Sequence, residues 1–221
     1  MRTTLSSGTE VAIVKGSNDV GLVIIPDIWG LRELFDDLCS SLSERTGWSV
    51  ACIEPFPGRE LPGADAPDGL AVRGEALQSV TDTALLGDAM EAADLTEASV
   101  VNIIGFCMGG MYALKAASTG RFARAASFYG MAHVQESWRG EDHGDPVEML
   151  SGNGEVPVME IVGTEDPFVP EEHISDLESV GVVVHRYEGA GHGFVHDPSR
   201  PAYRADDAAD AWEKVLSFLA G

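Results

Sequence analysis

Basic charge is what this 221-residue chain has least of: 14 Lys+Arg stand against 36 Asp+Glu, a formal −22. Lysine occurs three times, at Lys15, Lys115 and Lys214. So anionic a chain is repelled by nucleic acid and by acidic membrane surfaces, and neither is expected as a partner. Cysteine is scarce as well. Cys39, Cys52 and Cys107 make an odd number without C-x-x-C spacing, which argues against a disulfide framework or a zinc ribbon and fits a reducing, cytoplasmic setting. The first residues, Met1 to Gly8, lack the apolar core of a signal peptide, and no apolar run approaches membrane-spanning length. Phosphate-loop, dinucleotide, zinc-helix and calcium-loop motifs are missing, so neither cofactor nor metal is expected. No repeat or low-complexity segment interrupts the chain.

What is present is an alternation of strand-like and helix-like runs, the pattern of an α/β sheet. At this length one domain over residues 1–221 suffices, with room for a substantial core. Strands are expected at Glu10–Lys15, Val20–Ile25, Trp48–Ile53, Ser99–Ile104, Ala123–Tyr129, Val156–Val162 and Val182–Tyr187. The run G-L-V-I-I is apolar throughout, as a strand covered on both faces should be. Leu31, Leu34, Phe35, Leu38 and Leu42 recur at helical spacing between Leu31 and Arg45. Further helices are expected over Ala71–Asp94, Glu171–Ser179 and Ala202–Leu219. Met131–Glu155 is polar and patternless, a loop with room for a short helix.

The most informative stretch is Ser99 to Tyr112. A strand-length apolar run meets a helix-forming run across Gly105-Phe106-Cys107-Met108-Gly109, a G-x-nucleophile-x-G turn with cysteine where serine is commoner. A strand that reverses into a helix so sharply strains its central residue and crowds the positions two away, which glycine relieves. Cys107 then stands at a helix N-terminus, where N–H groups and the helix dipole favour a thiolate. The plain alternative is a glycine-rich turn around an inert, packed cysteine.

Two later residues give that turn its meaning. Asp166 follows the strand Val156–Val162 in G-T-E-D-P, and His192 sits between glycines in G-A-G-H-G-F. Nucleophile, acid and base then come in the α/β-hydrolase order, each at or just after a strand's carboxyl end. Thiolate, imidazole and carboxylate have separate tasks: attack, proton transfer and orientation of the ring. Asp166 could equally start a turn or cap the next helix, and Glu165 is the rival acid. Of the remaining histidines, His196 is near enough in sequence to matter.

I-P-D-I-W-G-L, I-G-F-C-M-G-G, G-T-E-D-P-F-V-P and G-A-G-H-G-F, in that order and over nearly the whole chain, resemble the dienelactone hydrolase family. The resemblance implies an α/β-hydrolase core: a mostly parallel central sheet flanked by helices on both faces, without a large lid domain. It implies a cofactor-independent hydrolase of a small ester or lactone, working as monomer or homodimer through Cys107, Asp166 and His192 and a thioester acyl-enzyme. It places the oxyanion hole at the backbone N–H groups of Ile28 and Met108. Family members carry a thiol-activating glutamate where this chain has Asp27. They also grip a substrate carboxylate with two arginines, whose counterparts here are His196 and Arg73. Histidine does not replace a bidentate arginine, so the mechanism is expected to carry over better than dienelactone as substrate. The rival from another class is a small-molecule-binding protein on a hydrolase fold.

Overall fold

In the computed structural model, which describes residues 1–152 and 156–221, eight strands and seven α-helices make an α/β fold whose strands are mostly parallel. The chain divides into two compact units: residues 1–102 with 134–144, and residues 103–133 with 145–221.

The first unit contains β1 (Arg2–Thr4), β2 (Glu10–Val14), β3 (Val20–Ile25), α1 (Glu33–Thr46), β4 (Ser49–Ile53), α2 (Gly69–Leu77) and α3 (Asp82–Leu95). Its strands lie in the order β1-β2-β4-β3, with β1/β2 and β2/β4 antiparallel and β3/β4 parallel. β4 is buried at every position and β3 at all but its first, so both read as continuous apolar runs. α1 buries Phe35, Cys39 and Leu42 and stops at Gly47, whose φ of 75° ends the helix in the left-handed region. The composition of Ala71–Asp94 suggests one helical stretch, but the structure breaks it in two. Thr81 adopts extended backbone and its hydroxyl accepts the Ala84 N–H at 3.1 Å, capping α3 four residues beyond the end of α2.

β5 (Val100–Phe106) runs from the first unit into the second. There follow α4 (Met108–Ala116), β6 (Ala125–Phe128), α5 (Pro146–Ser151), β7 (Val158–Gly163), α6 (Glu171–Ser179), β8 (Val183–Tyr187) and α7 (Ala205–Ala220). The order β5-β6-β7-β8 is parallel throughout, with Ile103 opposite Ala125, Ser127 opposite Glu160 and Met159 opposite Val183. The patternless Met131–Glu155 contains one 3-10 turn, Glu136–Trp138, and the short α5; its last three positions lie outside the described residues. α7 begins at Ala205 rather than Ala202 and buries Ala208, Ala211, Val215 and Leu219. Its Trp212 lies 4.9 Å from the Phe128 ring, which stacks on Phe106 at 4.7 Å. This aromatic layer backs the ends of β5 and β6. Among the described residues no helix is long and apolar enough to cross a membrane.

Candidate active site

The turn after β5 is as tight as its glycines require. A Cβ on Gly105 would lie 1.9 Å from the Gly109 carbonyl oxygen, so no larger residue fits where strand and helix meet. Cys107 pivots between them at φ 56°, ψ −118°, a conformation costing a non-glycine residue roughly 1–3 kcal/mol. Two backbone bonds hold it there: Cys107 N–H to the Phe128 carbonyl at 2.9 Å, and Met111 N–H to the Cys107 carbonyl at 3.0 Å. Cys107 is half-buried, whereas Cys39 and Cys52 are fully enclosed. Burial, followed by its neighbour Cys39, pushes the Cys52 thiol up, which suits packing rather than chemistry.

Asp166 and His192 come to this cysteine from the ends of β7 and β8. The Asp166 side chain is completely buried, and each oxygen has a partner. Oδ1 accepts the Phe168 N–H at 2.8 Å, and Oδ2 meets His192 Nδ1 at 2.8 Å. Glu165, the neighbouring acid, is exposed. With Nδ1 given to Asp166, the other ring nitrogen is left for Cys107, with which His192 is also hydrogen-bonded. Burial works against a charge on the ring. The negative charge of Cys107, the hydrogen bonds to Asp166 and Cys107, and the charge of Asp166 prevail, and push His192 up to about 10. Cys107, His192 and the buried Asp166 thus form one line of contacts.

Two aromatic rings fix the imidazole edge-on: Tyr129 at 5.1 Å and Phe168 at 4.8 Å between centroids. Sequence reasoning missed both. Tyr129 directly follows β6 with φ 47°, one of three described non-glycine residues at positive φ, and Cys107 is another. Its position just before Gly130 was a readable signal. Its hydroxyl is bonded to His196 Nδ1, and the buried His196 ring lies tilted against Phe106 at 4.7 Å between centroids. The structure therefore puts His196 in the same cluster as His192, held by Tyr129.

Met108, also expected in the oxyanion hole, is the first residue of α4, whereas Asp27, Ile28 and Arg73 belong to the first unit, where each has local partners. Asp27 is 1 % exposed; Oδ1 accepts the Trp29 N–H at 3.0 Å, and Arg32 grips both carboxylate oxygens at 2.7 and 2.9 Å. Arg73 donates to three carbonyls: Pro62 at 2.7 Å, Ile28 at 3.0 Å and Leu61 at 3.4 Å. Its guanidinium lies over the Trp29 and Phe56 rings at 5.6 and 5.7 Å. Ile28 is thereby tied down through its own carbonyl. A cavity of about 660 Å³ in this unit is lined by Trp29, Leu31, Glu54, Phe56, Arg59 and Arg73. Glu54 there accepts the Leu31 and Phe56 N–H groups, both at 2.8 Å, so its charge fixes backbone. Among the described residues no group of three or more histidines, cysteines and acids could hold a metal ion.

Residues 9–221 match the model of the family described as the dienelactone hydrolase family. A Synechocystis protein assigned as a carboxymethylenebutenolidase is 29% identical over 224 residues, covering 90% of this chain and 84% of its own length. A Bradyrhizobium protein assigned as a 2-oxo-3-(5-oxofuran-2-ylidene)propanoate lactonase is 26% identical over 214 residues, covering 90% of this chain and 82% of its own. Among solved structures, one from Klebsiella pneumoniae assigned as a dienelactone hydrolase superposes with a TM-score of 0.86 at 21% identity. It covers 100% of this chain and 97% of that one, and bears on the fold.

Proposed function

The chain belongs to the dienelactone hydrolase family, and from that premise we propose that it hydrolyses a small ester or lactone through a Cys107–His192–Asp166 triad and a thioester acyl-enzyme. The observation that carries the reading is the continuous chain of contacts from Cys107 through His192 to the buried Asp166, starting from a strained half-buried cysteine.

The Cys107 sulfur attacks the carbonyl carbon, and the developing oxyanion faces the N–H of Met108, which as first residue of α4 has no acceptor within its helix. The tetrahedral species collapses as the C–O bond breaks, and His192 gives its proton to the departing oxygen. The charge on Cys107 heads the influences that raise His192, and it vanishes when sulfur becomes a thioester. The imidazole then loses its reason to stay protonated at the step where a base is needed. It takes a proton from water as the hydroxyl attacks the thioester, the acid leaves, and the thiolate–imidazolium pair is restored. Asp166 keeps Nδ1 protonated and the ring aimed throughout.

Both relatives carry names that denote lactones, and that supports a lactone or compact ester here. The side chains suit a substrate without a carboxylate, since Arg73 is committed to three carbonyls and His196 to Tyr129. The test is turnover of p-nitrophenyl acetate by wild type and Cys107→Ala. The variant should be folded and inactive, and activity near wild type would remove Cys107 as nucleophile.

A further inference from the structure

β7 has the sequence Val-Met-Glu-Ile-Val-Gly, an apolar run interrupted at its middle by one acid. That acid, Glu160, is 0 % exposed. It lies opposite Ser127 of β6, and Ser127 in turn lies opposite Gly105 of the cysteine turn. Glu160 Oε1 accepts the Gly130 N–H at 3.0 Å, while Oε2 and the Ser127 hydroxyl are two buried oxygens that no well-aligned hydrogen bond satisfies.

The carboxyl thus lies under the corner where β6 ends. There is no slack around that corner: a Cβ on Gly130 would lie 2.3 Å from Ser127 Oγ and 2.6 Å from the Met111 nitrogen, at the first turn of α4. The residue before it is Tyr129, with its positive φ, its ring edge-on to His192 and its hydroxyl on His196. An ionised carboxylate buried in the middle of an apolar strand with one firm N–H donor is strongly disfavoured, whereas a carboxylic acid can give a proton toward Ser127 and still accept from Gly130. Burial pushes Glu160 well above the usual carboxylate range, and the nearby charge of Asp166 acts the same way, against the Ser127 hydroxyl and the Gly130 and Tyr129 backbone.

We propose that Glu160 is a positioning residue for the Cys107–His192–Asp166 centre, a neutral carboxylic acid that pins the Tyr129–Gly130 corner so that Tyr129 buttresses His192. The idea rests on the triad reading above for the identity of the centre it serves. A neutral acid is also what the reaction requires, because a second negative charge beside Asp166 would keep the imidazolium protonated when deacylation needs a base.

The experiment compares wild type, Glu160→Gln and Glu160→Leu. First, the infrared difference spectrum between wild type and Glu160→Gln at neutral pH should contain the carbonyl stretch of a protonated carboxylic acid. Carboxylate bands in its place would overturn the proposal. Second, kcat and KM for p-nitrophenyl acetate and the iodoacetamide alkylation rate of Cys107 are measured. Glutamine, neutral and able to accept from Gly130, should stay within about twofold of wild type in all three. Leucine should lower kcat and the alkylation rate by about tenfold or more with KM little changed. Equal rates in all three proteins, or losses in glutamine matching those in leucine, would overturn the proposal. Should the leucine variant not fold, the infrared band and the glutamine kinetics decide. The alkylation rate needs no ester turnover. A leucine-specific slowing in a protein inactive on esters would support the positioning role while contradicting the hydrolase reading.

Discussion

The two units use buried charge for opposite ends. In the first, Arg73 is surrounded by carbonyls, Glu54 takes two backbone N–H groups, and Asp27 takes one N–H and an arginine. Each side chain ends on main chain or on its own ion pair, and the product is a fixed loop. In the second, Cys107, His192 and Asp166 end on one another, and the series stops at a half-buried sulfur on a strained residue. Burial and charge are common to both regions. What separates them is whether the last member of the chain of contacts is a backbone group or a half-buried thiol. The aspartate pair makes the point within one residue type: Asp27 and Asp166 each cap an N–H two residues on, and differ in whether the other contact is arginine or a histidine facing a thiol.

The largest effect is expected at the chemical end. Asp166→Asn preserves shape but presents an amide to Nδ1, so kcat should fall about 10³-fold with the fold intact, as measured by ester turnover and circular dichroism. A loss under tenfold would mean that Asp166 has a backbone role like that of Asp27. At the structural end, Arg73→Ala leaves three carbonyls without a donor and should lower unfolding free energy by about 2–4 kcal/mol in urea titration. The alkylation rate of Cys107 in the remaining folded protein should be unchanged. Arg73→Lys should not restore stability, because one ammonium cannot reproduce the planar set of donors. Retained stability together with lost turnover of anionic esters would instead make Arg73 a substrate grip.

The smallest effect concerns stability against pH. Glu160 has a raised value when folded, so the folded protein binds more protons than the unfolded chain above about pH 4.3. The contribution of Glu160 is therefore fully present below that pH and is lost as pH rises through its folded value. Glu160→Gln does not titrate, so its stability relative to wild type should grow with pH, approaching tenfold in the folding equilibrium per pH unit. Urea titrations of both proteins at about pH 5, 6 and 7 measure this, and a constant difference would mean that Glu160 is ionised in the fold.

How much of this was readable beforehand follows from where each signal is written. Cys107, Asp166 and His192 are each marked locally, by a glycine-framed turn or a strand end, and the structure brings the three together. The parallel order of β5 to β8 follows likewise from alternating runs. The division between α2 and α3 was not readable as such, because the cap at Thr81 lies in a stretch without a clean apolar stripe. The commitments of Arg73 were hidden because its acceptors lie 11, 12 and 45 residues away. Glu160 was visible as an acid inside an apolar strand. Its place under Gly130 depends on strand register, which no local pattern specifies. Tyr129 likewise gains its meaning from His192, far along the chain.

The most direct test of the central claim is to trap the intermediate. Wild-type protein mixed with p-nitrophenyl acetate, quenched in acid within the first turnovers and digested, is analysed by mass spectrometry. The account predicts one acetyl group, on the peptide carrying Cys107 and on its sulfur, absent from Cys107→Ala. Turnover with no acetyl on Cys107, or with the acetyl on another residue, would contradict it.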